Sequence, residues 1–133
     1  MEEVKISEKK RFSIVRRAES FAHAGRGIAV FLKSTHNAWV QVTAFILVVA
    51  LAAFFHVTAT EWMMLVFAGG FVLASEAFNT AIEIDIDLTS SEYHPYARDT
   101  KDVAAGAVLI ATITAAIIGL IIFIPHITQT WLV

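Results

Sequence analysis

Three acidic side chains and one amide recur at helical spacing in a stretch that is otherwise mostly apolar and of membrane length. They are Glu76, Asn79, Glu83 and Asp87. Their spacing of i, i+3, i+7 and i+11 places them on one face of a helix, which we call the acidic face. An ionised carboxylate at the centre of a bilayer costs at least about 2.5–3.5 kcal/mol, and such residues are functional by default. We therefore expect protein or water, rather than lipid, to surround Glu76.

Long apolar runs dominate the rest of the chain. Of its 133 residues 57% are hydrophobic, whereas soluble domains average about 45–50%. The runs 38–55 and 103–124 carry no charge, and a third begins at residue 62 and continues through the acidic face. Each approaches the roughly 17–25 residues that span a bilayer, where only helices satisfy every backbone group within one segment. A soluble bundle would need polar outer faces that these runs lack.

The fold class expected is an all-α membrane protein with transmembrane helices at about 38–55, 61–85 and 102–124. A further helix at about 12–33 should precede them, because apolar residues recur there at alternating steps of four and three. These residues are Ile14, Ala18, Phe21, Gly25, Ile28 and Leu32. A basic amphipathic helix beside a membrane segment lies in the interface. We treat residues 1–133 as a single domain with an N-terminal surface helix.

Positive charge is distributed unevenly along the chain. Eight of the ten lysines and arginines precede the first apolar run, and Arg98 and Lys101 lie between the second and third runs. Because positive charge marks the cytoplasmic side, the N-terminus and the 86–101 loop should face the cytoplasm. The chain has no cysteine, which excludes disulfides and thiolate metal sites.

Charged residues of both signs should meet at this cytoplasmic surface. Arg98, Lys101 and Asp102 follow the acidic face in the sequence, and a cluster of these residues would suit a phosphate bound through Mg²⁺, which takes one or two carboxylates plus phosphate oxygens. The deeper Glu76 is a candidate general base. A simple ion pair between Arg98 and Asp102, four residues apart, is the alternative for those two residues. Neither a P-loop nor a protein-kinase signature is present, so any nucleotide site has another design.

Two other functional classes remain open on composition alone. Carboxylates within a membrane also build ion or proton conductors, although the first and third apolar runs contain no acid. The second class is a catalytically silent interaction protein. Three helices offer little room to bury both Glu76 and Glu83 in one protomer, so we also expect the chain to form an oligomer.

The motifs of the acidic face and the loop after it resemble those of the small bacterial integral-membrane diacylglycerol kinases, a family that includes undecaprenol kinases. The resemblance covers about residues 16–124. It rests on Glu76-x-x-Asn79-Thr-Ala-Ile-Glu83-x-x-x-Asp87, then Ser91-Glu-Tyr-His94, then Lys101-Asp102-x-Ala-Ala-Gly-Ala-Val.

This resemblance implies a homotrimer in the bacterial inner membrane, with its active site on the cytoplasmic side. It implies transfer of the γ-phosphate of ATP, with Mg²⁺, to the hydroxyl of diacylglycerol to give phosphatidic acid. Undecaprenol is the alternative acceptor, and nucleic acid has no part. By position, the resemblance makes Glu76 and Asn79 catalytic and Glu83 a metal ligand. The nucleotide contacts would be Arg16, Asp87, Tyr93, His94, Lys101 and Asp102.

Three positions depart from the family pattern. Thr35 stands where relatives usually carry a second metal-binding glutamate, and Gln41 where some carry an acid. A neutral hydroxyl cannot supply the charge of a carboxylate, so the departure predicts weaker Mg²⁺ binding at a site that still functions, or a catalytically weakened family member. Asp85 replaces a usually apolar residue, and at about 200° around the helix from Glu83 it is a poor substitute for the missing acid.

Overall fold

The computed structural model describes residues 14–90 and 92–131. It contains helix α1 (Ile14–Ser34), α2 (His36–Phe54), α3 (Ala59–Thr89) and α4 (Pro95–Trp131), and no strand occurs in that part of the chain. Helices α2, α3 and α4 are long and apolar enough to cross a membrane. The expected all-α membrane fold, with one helix preceding three spans, is confirmed.

Helix α2 begins almost where α1 ends, because Thr35 interrupts the helical path. Its backbone is extended, with φ −133° and ψ 137°, and its hydroxyl accepts a hydrogen bond from the Ala38 N–H at 3.3 Å. This is the N-cap arrangement, in which a side-chain oxygen satisfies one of the unpaired N–H groups at the start of a helix. Thr35 is therefore the N-cap residue of α2.

A short turn reverses the chain between α2 and α3. His56 adopts a left-handed conformation with φ 50°, which histidine tolerates better than most residues. Helix α3 then begins with a capping box, in which the Glu61 N–H donates to Thr58 Oγ1 at 3.3 Å and the Thr58 N–H donates to Glu61 Oε2 at 2.7 Å. These reciprocal bonds fix the start of the helix that carries the acidic face.

Helix α4 is longer than the third apolar run from which it was predicted. It starts at Pro95 rather than near residue 102, because proline at the first helical position lacks only an N–H that would have no helical partner. The early start brings Arg98, Lys101 and Asp102 into the first two turns of α4. A second proline, Pro125, lies near the other end of the same helix.

Helix α3 is the central element of the chain and packs mainly on α4, with less contact to α2 and α1. A small apolar cluster of Ala52, Val57, Leu65 and Ile122 joins the three spans near the α2–α3 turn. Gly69 lets α3 approach the ring of Phe45 on α2. Most other large apolar side chains of the spans are exposed within this single chain, so lipid or further protein must cover them.

Candidate active site

Glu76 is buried inside the membrane-spanning part of α3, where only 2% of its surface is exposed. Gln41 of α2 donates a hydrogen bond through Nε2 to Glu76 Oε2 at 3.2 Å. Thr80, one turn further along α3, donates through Oγ1 to the Glu76 carbonyl oxygen at 2.9 Å. Protein of the same chain therefore surrounds this carboxylate, and its burial does not itself require a second protomer.

Asn79 lies one turn closer to the C-terminal end of α3 and is 7% exposed. Its Nδ2 donates to Glu83 Oε1 at 3.1 Å, so these two residues share a face as their spacing predicts. Asn79 Oδ1 is buried and accepts no hydrogen bond within the described residues. A buried carbonyl oxygen without a donor costs about 1–3 kcal/mol, and in a binding site such an atom indicates a missing partner.

The C-terminal end of the acidic face is joined to α4 by an ion pair. Lys101 Nζ lies 2.6 Å from Asp87 Oδ1. Nearby on α4, Arg98 Nε lies 3.5 Å from Asp102 Oδ2, which is the i, i+4 pair considered as the simpler interpretation of those residues. From Glu76 to Asp87 the acidic face extends about 16 Å along the helix axis.

The loop residues lie apart from this row of contacts. Tyr93 is 78% exposed, and His94 Nδ1 accepts a hydrogen bond from the Tyr96 N–H at 3.3 Å. Arg16 belongs to α1, but its side chain lies outside the described residues. The structure therefore brings together Glu76 with Gln41, Asn79 with Glu83, and Asp87 with Lys101, and it leaves Tyr93 and His94 on the surface.

No group of three or more histidine and acidic side chains within residues 14–90 and 92–131 is arranged to hold a metal ion by itself. Mg²⁺ usually binds through one or two carboxylates and completes its shell with phosphate and water oxygens. The Glu83 carboxylate and the unpartnered Asn79 Oδ1 are oxygens of the type that Mg²⁺ accepts. Thr35 already uses its hydroxyl to cap α2, and Asp85 is exposed.

A groove of about 940 Å³ lies between α1 and α3. Its walls are mainly apolar and include Ile28 and Phe31 of α1 together with Ala77 and Phe78 of α3. Thr80, which bonds to the Glu76 carbonyl oxygen, also lines it. The groove is therefore an apolar space beside the helix segment that carries Glu76.

The sequence shows Gln41 only as a departure from the family pattern and gives no indication of its contact with Glu76. The two residues are 35 positions apart, and no sequence spacing relates one helix to the other. The available signal was a long amide side chain in a run that is otherwise mostly apolar. Such a group needs a polar partner at membrane depth.

Comparisons with known proteins agree with these observations. The family model for prokaryotic diacylglycerol kinases matches residues 22–123. Undecaprenol kinase of Bacillus subtilis (strain 168) is 36% identical over 119 residues, which cover 90% of this chain and 97% of that protein. Diacylglycerol kinase of Escherichia coli (strain K12) is 34% identical over 101 residues, covering 71% of this chain and 83% of that protein. Diacylglycerol kinase of Synechocystis is 34% identical over 107 residues, covering 80% and 61%.

One family accounts for the sequence match, the three apolar spans and the buried carboxylate of the second span. The chain belongs to the prokaryotic diacylglycerol kinase family and is a lipid kinase of the membrane.

Proposed function

We propose that this kinase transfers the γ-phosphate of ATP to the primary hydroxyl of a lipid alcohol at the cytoplasmic face of the bacterial inner membrane. Glu76 accepts the proton of the lipid hydroxyl, and the hydroxyl oxygen attacks the γ-phosphorus. The bond from that phosphorus to the bridging oxygen breaks, and ADP leaves. The observation that carries the proposal is the burial of Glu76 to 2% exposure inside a membrane-spanning helix, because such a carboxylate serves function by default.

The nucleotide phosphates are proposed to lie at the cytoplasmic end of the acidic face. Lys101 supplies a positive charge there, and in the structure it is paired with Asp87 at 2.6 Å. A phosphate oxygen would replace or share that partner, and Arg16, Tyr93, His94 and Asp102 complete the proposed contacts. Phosphoryl transfer requires in-line positioning and charge neutralisation with little covalent work by the protein, which fits a site of charged side chains without a nucleophile.

Glu83 and the unpartnered Asn79 Oδ1 are the residues that would hold Mg²⁺. When bound, Mg²⁺ neutralises the negative charge of the phosphates during transfer.

We propose that this metal site is weaker than in relatives, because Thr35 stands where the family pattern has a second carboxylate. Thr35→Glu should then lower the Mg²⁺ concentration needed for half-maximal activity, although losing the cap on α2 should cost about 0.5–2 kcal/mol of stability. Thr35→Ser keeps the cap and should leave the Mg²⁺ requirement unchanged. An unchanged Mg²⁺ requirement in Thr35→Glu would refute this explanation.

The hydrocarbon chain of the acceptor is proposed to lie in the groove between α1 and α3. That groove is apolar and opens beside Thr80 and Ala77. A lipid whose hydrocarbon chain lies in the groove would therefore place its hydroxyl at the depth of Glu76. Diacylglycerol, which would yield phosphatidic acid, is the proposed acceptor. Undecaprenol is the second candidate, because the Bacillus relative named undecaprenol kinase is 36% identical over nearly the whole chain.

Vesicles that contain either alcohol, supplied with ATP labelled at the γ-phosphate, test the proposal. Label in phosphatidic acid supports diacylglycerol, and label in undecaprenyl phosphate supports the second candidate. Both acceptors should be compared at equal mole fraction with the same Mg²⁺ concentration. Proton flux without labelled lipid would favour a conductor and refute the kinase reaction.

We further propose that the protein is a homotrimer. The spans expose many large apolar side chains, among them Phe67, Phe71, Leu109 and Ile121. A second cavity of about 670 Å³ between α2, α3 and α4 is also open and apolar. Neighbouring protomers would fill part of this surface, and cross-linking in the native membrane should yield trimers.

A further inference from the structure

We propose that Gln41 is a positioning residue that holds the Glu76 carboxylate in its reactive orientation, an inference that rests on the proposed role of Glu76 as the base. Gln41 lies on α2, whereas the other residues of the acidic face lie on α3. Its Nε2 is 3.2 Å from Glu76 Oε2. Within the described residues this is the hydrogen bond that reaches the Glu76 carboxylate from another helix.

The chemistry of the two groups fixes the direction of this bond. An ionised carboxylate has only acceptor oxygens, and an amide has donors on its nitrogen alone. The Gln41 nitrogen must therefore face Glu76, and its carbonyl oxygen must point away. That oxygen is buried and accepts no hydrogen bond within the described residues, so the amide is oriented by its contact with Glu76.

Packing alone does not explain a glutamine at this position. An unpartnered buried carbonyl oxygen is unfavourable, and methionine would fill a similar volume without that cost. Neighbouring positions along α2, such as Val40 and Ala44, are apolar. A residue that is unfavourable for packing but touches the proposed base is typical of a functional site, where stability is given up for reactivity.

The effect on the reaction follows from the position of the bond. A base removes a proton efficiently only when its oxygen is held within hydrogen-bond reach of the hydroxyl. Without Gln41 the Glu76 side chain can adopt other rotamers, and the fraction of molecules with a correctly placed base falls. Gln41 does not line the groove between α1 and α3 that is proposed for the acceptor. It lines the second cavity, between α2, α3 and α4, so substrate binding should change little.

Kinetics of the full-length protein in vesicles with diacylglycerol or undecaprenol test this role. Gln41→Met should lower kcat about tenfold, which corresponds to about 1.4 kcal/mol. The KM values for ATP and lipid should stay within about twofold, because the loss concerns the transition state. Asn37→Met is the matched control, because Asn37 is an exposed amide one turn earlier on α2 and should retain the parent kcat. Glu76→Gln is measured in parallel as the reference for loss of the base.

Each outcome separates the two proposals. If Gln41→Met keeps the parent kcat while Glu76→Gln is inactive, the positioning role is refuted and the proposed reaction stands. A rise in KM with unchanged kcat also refutes it, because Gln41 would then bind substrate. If Glu76→Gln is fully active, the proposed base itself is wrong and the role of Gln41 falls with it. Should Gln41→Met fail to fold, Gln41→Asn provides the test, since its shorter amide cannot span the same distance and should show the same loss of kcat.

Discussion

Lys101→Met is expected to weaken ATP binding strongly while leaving the fold almost as stable. Lys101 Nζ lies 2.6 Å from Asp87 Oδ1, and the two side chains are 37% and 68% exposed. An exposed ion pair of this kind contributes at most about 1 kcal/mol to stability. A charge-assisted hydrogen bond to a phosphate is worth about 1.5–3 kcal/mol. At about 1.4 kcal/mol for each factor of ten, the KM for ATP should rise on the order of tenfold to a hundredfold.

The measurement is an ATP titration at saturating lipid, together with thermal unfolding in the same detergent. Lys33→Met is the control, because it removes one positive charge from the exposed end of α1, outside the proposed phosphate contacts, and should leave the KM for ATP within about twofold. An unchanged KM for ATP in Lys101→Met, with a large fall in unfolding temperature, would show that the residue serves only to join α3 and α4.

Two further predictions concern how the spans hold together. A Cβ on Gly69 would overlap the ring of Phe45, so Gly69→Ala should lower the free energy of unfolding by about 1–3 kcal/mol through overpacking. Gly70→Ala is the control, because a Cβ there meets nothing within 4 Å, and it should be neutral or slightly stabilising. Equal unfolding temperatures for the two variants would contradict this prediction. His126 Nε2 lies 3.2 Å from Glu61 Oε1, about 22 Å along the helix from the acidic face. His126→Ala should therefore lower the unfolding temperature without changing kcat for lipid phosphorylation, and a loss of kcat in a folded variant would contradict the separation of the two ends.

The architecture followed from the sequence because a membrane allows few solutions. Long uncharged runs must be helical where water is absent, and the acidic face of α3 follows from helical spacing alone. The contact between Asn79 and Glu83 is of this kind, since residues four apart on a helix are neighbours.

Contacts between helices and the details of helix ends required coordinates. The hydrogen bond between Gln41 and Glu76 depends on the axial register of α2 against α3. The close approach of Phe45 to Gly69 helps to set that register. The early start of α4 does not follow from the apolar pattern, because its first two turns are charged and do not resemble a membrane segment. The sequence presents Thr35 only as a missing carboxylate, whereas the extended backbone and the hydroxyl of Thr35 make it the cap of α2.

The most direct measurement is the rate of lipid phosphorylation by Glu76→Gln in vesicles, with protein that retains the unfolding temperature of its parent. This substitution keeps the shape of the side chain and removes its capacity to accept a proton. A general base contributes about 10²–10⁴-fold to a rate, so the variant should lose at least about a hundredfold of kcat. Asp85→Asn, an exposed acid on the same helix, should remain fully active. Phosphorylation by Glu76→Gln at the parent rate would contradict the assignment of Glu76 as the group that accepts the proton of the lipid hydroxyl.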